Sequence, residues 1–113
     1  MRRETGKATS TIATMQMVVG ELRRGRITQN YATVMTRQSV ADLTSIVTDL
    51  RQITAPSADL VRHQRQLQHL LARTIPTVGS VIDDWDQPAR LARTAIRLAA
   101  AGRDLARLTP ALA

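Results

Sequence analysis

The stretch LVRHQRQLQHLLART, residues 60–74, holds the densest set of side chains that could do chemistry. Read as a helix at about 100° per residue, it gathers Leu60, Val61, Leu67, Leu70 and Leu71 on one broad side. Arg62, Arg65, His69 and Arg73 gather on the other, at i, i+3, i+7 and i+11. A guanidinium fork meets phosphate or carboxylate through two parallel hydrogen bonds. The stripe therefore points to electrostatic contact with phosphates or with an acidic partner. The plainer reading is the solvated face of an amphipathic helix. His63 falls at the edge of the apolar side and reads as a packed or boundary histidine.

Arg62, followed by a polar residue and, seven positions on, by His69, resembles the loose Arg-x4–6-His signature of the HEPN family of helical ribonucleases. The resemblance covers this one short motif. It implies a small all-helical dimer in which Arg and His from paired subunits cleave RNA without metal. In that chemistry His69 would transfer a proton and Arg62 would face the developing phosphorane charge.

A second stretch, TRQSVADLTSIVTDL (residues 36–50), looks like the start of a helix-turn-helix recognition helix. Thr36, Arg37, Gln38 and Ser39 form a polar entry, and Val40 opens an apolar stripe. Arg37 and Gln38 are the side chains that would reach DNA. The spacing departs from the motif, because Ala32 and Val40 lie eight apart where the geometry wants about ten. No Gly lies between them, and no strand pair follows Leu50.

Other constellations point to structure. Asp83, Asp84 and Asp86 offer carboxylates of the kind that Mg²⁺ and Ca²⁺ prefer, but their side chains diverge on a helix and no metal site is expected. Asp86 reads instead as a cap and as the i,i+4 partner of Arg90. Trp85 completes an apolar stripe and reads as core. His63 and His69, six apart, fall on different sides of a helix. There is no Cys, so thiolate metal sites, disulfides and cysteine nucleophiles are excluded. Tyr31 and Trp85 are the chain's aromatic residues, too few for base stacking. No cofactor is expected and the chain does not read as an enzyme.

The elements that must position these residues are helices, because helical periodicity recurs and strand alternation does not. Ile12, Met15, Val19 and Leu22 form a first stripe, with Thr9 or Ser10 as cap and Gly25 as terminator. Thr28 caps a short helix carrying Tyr31, Val34 and Met35. A third stripe runs Val40, Leu43, Ile46, Val47, Leu50 and Ile53, pointing elsewhere, so a break is placed at Thr36–Ser39, with Ser39 and Asp42 as a variant capping box. TAPS stops and restarts the chain, with Ser57 as the next cap. Pro76 punctuates again, before a short helix carrying Val78, Val81, Ile82 and Trp85. Pro88 opens a last helix, roughly Ala89 to Leu108, in which Leu91, Leu98 and Leu105 alternate with Ala95 and Gly102. That small-residue seam lets another helix approach, from the bundle or from a second copy. Arg90, Arg93 and Arg97 form a row away from it. The expectation is an all-α, single-domain helical bundle of five or six helices over residues 1–113. Residues 1–9 are expected to be a flexible basic arm and 109–113 a short tail.

Charge supplies the strongest global signal. Sixteen basic residues, fifteen of them Arg, against nine acidic ones give +7. Residues 1–27 carry +4, 28–60 carry −1, 61–79 carry +3 and 80–113 carry +1, so the charge is spread over several elements. That distribution favours a general electrostatic surface over base-specific reading. No apolar window is long enough to span a membrane, no cleavable leader is apparent, and a cytoplasmic location is the default. The function expected first is a small non-enzymatic interaction or assembly module that binds an acidic partner through its Arg faces, with a homo-oligomer among the expected states. A DNA-binding regulator comes second and a ribonuclease third.

Overall fold

The computed structural model describes the backbone of residues 1–112 and the side chains of residues 1–109. Four long helices form it: α1 (Arg2–Arg23), α2 (Gln29–Gln52), α3 (Ala58–Gly79) and, after a single helical turn α4 (Val81–Asp84), α5 (Pro88–Leu112). No strand is present among the described residues. Consecutive helices run antiparallel, and the ring order α1–α2–α3–α5 closes because α5 packs against both α3 and α1. Leu67, Leu71, Leu91, Leu98, Leu105, Leu43, Leu50, Ile12 and Met15 fill the core almost without exposure.

Two turns follow their residues closely. Gly25 adopts φ +67°, where a Cβ would be strained. Its N–H donates to the Leu22 carbonyl and that of Arg26 to the Glu21 carbonyl, which makes the end of α1 a Schellman turn. At the second turn the Ser57 hydroxyl accepts from the Leu60 N–H, just as Thr28 accepts from Tyr31 at the start of α2. Buried Gln64 then reaches back from α3, its Nε2 donating to the Leu50 and Ile53 carbonyls at the end of α2, the latter at 2.9 Å. One amide thus pairs the Ile53 carbonyl and adds a second donor to the Leu50 carbonyl, which also accepts from the Ile53 N–H at 3.3 Å.

Several sequence expectations are corrected. Among the described residues there are four long helices and a helical turn, not five or six helices. The break at Thr36–Ser39 does not exist, because α2 is continuous and buries Ala32, Thr36, Ser39, Leu43, Ile46, Val47 and Leu50 along one stripe. Small hydroxyl residues occupy two core positions there, while Tyr31 and Val34 face outward at 47 % and 62 % exposure. With Ser39 buried in mid-helix, there is neither a capping box nor the turn of a helix-turn-helix.

Residues 2–9, expected as a basic arm, lie within α1. α1 starts at Arg2, and Thr5 and Ala8 are buried. Thr9 and Ser10 therefore lie within the helix and cap nothing, the Thr9 hydroxyl donating to the Thr5 carbonyl. At this helix start burial pushes the Glu4 carboxyl up, but a backbone N–H and the Met1 ammonium at 3.3 Å outweigh it and hold it below its usual value.

Pro76 does not end α3. It sits on an exposed position, and the residue whose carbonyl it leaves unpaired, Ala72, is also exposed. The stop comes at Ser80, whose hydroxyl donates to the Thr77 carbonyl. Trp85 is half-buried and lies outside the core cluster. Pro88 opens α5 as expected, but Arg90 pairs with Asp84 at 3.3 Å and not with Asp86. The helix continues through Pro110 to Leu112, so the tail expected at 109–113 is helical as far as it is described, and Ala113 lies outside the described residues.

Candidate functional site

The ring order decides which charged rows meet. Because α3 and α5 are antiparallel neighbours, the Arg stripe of α3 faces the Arg row of α5 across a shared groove. At one end a cleft of about 520 Å³ is walled by Arg65, His69 and Arg73 from α3 and by Asp104 and Arg107 from α5. Leu70 and Leu108 form its floor. It continues into a smaller cleft of about 190 Å³, where Arg73, Thr74 and Thr77 face Arg97, Ala100 and Ala101.

Each wall has a local cause. On α3, burial of Gln64, Leu67, Leu71, Thr74 and Val78 fixes the helix rotation, which leaves Arg65, His69 and Arg73 outward. On α5, burial of Leu91, Leu98 and Leu105 does the same for Arg97 and Arg107. Thr74 is buried without strain on its polarity, its hydroxyl donating to the Leu70 carbonyl at 2.8 Å.

The electrostatics of the groove are one-sided. Asp104 is the carboxylate that lines it, and Arg107 holds that group at 3.2 Å. Arg65, Arg73 and Arg97 make no ion pair among the described residues. Their guanidinium groups keep all their donors available to an incoming anion.

The remaining expected residues sit apart from this groove. Arg62 is on the same face of α3 as Arg65 but is engaged by Asp59 of its own first turn. His63 turns its Nδ1 to the Asp59 carbonyl at 2.8 Å. Arg93 lies one turn before Arg97 on the same face of α5 and extends the basic row toward α4, where Arg90 is held by Asp84. Arg37 and Gln38 are exposed on the outer face of α2 and line none of the α3–α5 groove. His69 faces solvent with no hydrogen-bond partner, and Arg62 is not part of the lining beside it.

The seam of α5 is occupied within the chain. Leu91, Leu98 and Leu105 are buried, Ala95 packs against the same core, and Gly102 faces Ile12 and Gln16 of α1. Of the two contacts expected for the seam, the one within the bundle is made. Among the described residues, no group of three or more His, Asp or Glu is placed to hold a metal ion. No helix among them is long and apolar enough to cross a membrane.

Arg107, Asp104 and Leu108 complete the groove, and the sequence reading did not single out Arg107 or Leu108. The signal was present as a continuation of the Arg97 row at i+7, i+10 and i+11. What periodicity could not supply was that this row faces α3. No family model, curated protein or solved structure matches the chain.

Proposed function

We propose that this chain is a non-enzymatic interaction module that binds an acidic partner through the basic groove between α3 and α5. The observation that carries the reading is the set of Arg65, Arg73 and Arg97 on two facing walls, none of them neutralised by a carboxylate. Guanidinium groups that are 62–75 % exposed and held by a nearby carboxylate, such as Arg62, Arg90 and Arg107, are ordinary surface pairs worth little. Three unpaired ones on one concave surface are a different arrangement, because an acidic ligand gains charge-assisted hydrogen bonds that no internal contact must give up. A catalytic role has weaker support: His69 is solvent-exposed, and Arg62, its partner in the ribonuclease motif, is engaged by Asp59 and does not line the cleft beside it.

The test is a fluorescence-anisotropy titration of a labelled polyglutamate peptide and of labelled duplex DNA across a salt series. The triple variant Arg65→Gln, Arg73→Gln, Arg97→Gln should weaken polyglutamate binding by tenfold or more. A charge-matched control, Arg37→Gln, Arg51→Gln, Arg103→Gln, removes exposed charge elsewhere and should change it by less than threefold. Equal losses in both variants would reduce the interaction to the overall charge of +7 and end the assignment to this groove. Nucleic acid is a second reading because phosphates suit the same guanidinium forks, and the DNA arm measures it directly.

A further inference from the structure

Resting on that reading, we infer that the occupant of the α3–α5 groove is an acidic amphipathic helix of a protein partner, laid lengthwise between the two helices. The groove has the length for it. Its lining runs from Arg65 to Thr77 on α3 and from Leu108 back to Arg97 on α5. Twelve residues of helix rise about 18 Å, so a ligand helix of a little over three turns lies along it.

Its cross-section fits the same ligand. Leu70, Ala100, Ala101 and Leu108 form an apolar floor, while Arg65, Arg73, Arg97 and Arg107 stand on the two rims. A helix with an apolar stripe at i, i+3/i+4 and i+7 sets that stripe on the floor and places flanking Glu or Asp against both rims. Ala100 and Ala101 leave the α5 side of the floor low, which permits the interaxial approach of about 8–10 Å that helix packing needs.

The same features disfavour a nucleic acid occupant. Phosphates gain nothing from an apolar floor, and the groove has no Phe, Tyr or Trp platform for successive bases, His69 being the one ring on its wall among the described residues. Asp104 lies where the two clefts meet, 47 % exposed, and presents a negative charge to any backbone laid along the groove. An amphipathic helix can place an apolar or basic residue opposite it. A continuous phosphate chain has no such choice.

The experiment uses the full chain and three fluorescent probes: a 14-residue peptide with leucines at helical spacing flanked by glutamates, a scramble of the same composition, and a duplex DNA. The amphipathic peptide should bind at least tenfold more tightly than its scramble and gain helical circular dichroism on binding. Ala100→Arg adds a positive charge but fills the floor; it should weaken the amphipathic peptide at least fivefold and leave the scramble equal or tighter. Asp104→Asn should tighten both acidic peptides about two- to fivefold. Thermal melts of both variants report whether the fold is kept, and Ala100→Gln, which fills the floor less, replaces Ala100→Arg if that variant does not fold. Equal binding of peptide and scramble overturns helix docking while leaving the acidic-partner reading intact. Binding of DNA alone overturns it in favour of phosphate, and binding of none of the three overturns both readings.

Discussion

Single residues divide this structure into positions that tolerate change and positions that do not. Thr36 is fully buried, and its hydroxyl makes no hydrogen bond, unlike buried Thr5, Thr11 and Thr74, which each donate to the carbonyl four residues earlier. A buried polar group without a partner carries a desolvation cost that an apolar isostere lacks. Thr36→Val should therefore stabilise the protein by about 1 kcal/mol, read as a higher midpoint in urea with an unchanged slope. Gln64 is the opposite case, since Gln64→Ala removes the Ile53 carbonyl's hydrogen bond and leaves the Leu50 carbonyl only the Ile53 N–H at 3.3 Å. A loss of about 1–3 kcal/mol is expected in the same measurement. Gly102 looks like a spacer for close helix approach, but a Cβ there would meet Ile12 and Gln16 at 3.9 Å, an ordinary contact. Gly102→Ala should raise stability by about 0.5–1 kcal/mol through backbone entropy alone. These roles were not legible in the sequence, where Thr36 and Gln64 count as polar and so as surface. Burial and partners, which only packing reveals, decide their meaning.

At the scale of elements, chemical boundary signals held at four places and failed at Thr9, Ser10, Ser39 and Pro76, which all lie inside helices. Gly25, Thr28, Ser57 and Pro88 each mark a boundary because a positive φ, a hydroxyl acceptor or a fixed φ is required there. In α2 the misleading signal came from apolar residues alone. Tyr31, Val34 and Val40 suggested two stripes, whereas the buried face of α2 runs through Ala32, Thr36 and Ser39. A stripe completed by small hydroxyl residues is invisible to a count of hydrophobic ones. Ser39 gives a direct test, because an N-cap tolerates aspartate and a core position does not. Ser39→Asp should cost at least about 2 kcal/mol by chemical denaturation, where a cap at the start of a recognition helix would show no loss. The seam of α5 is equally diagnostic. Leu98→Ala should destabilise the protein by about 2–5 kcal/mol without changing its mass in sedimentation, since Leu98 packs inside the chain.

For the whole molecule, what periodicity could not supply was neighbourhood. The apolar stripes of α3 and α5 announced their buried faces, but the basic rows of these helices became one groove only because the ring closes between them. Net charge was legible from composition and the facing of two walls was not, which is why the Arg62, Arg65, His69, Arg73 stripe and the Arg90, Arg93, Arg97 row read as separate surfaces. The same closure brings α5 back along α1, with Gly102 beside Ile12 and Gln16 and Ala106 sharing a cleft with Thr9. The start of α1 and the end of α5 therefore lie at one end of the bundle. The order in which the four helices are strung is then separable from the arrangement they adopt. A circular permutant that joins those two ends through a short glycine-serine linker and opens between residues 54 and 56, before the Ser57 cap, should still fold to the same groove.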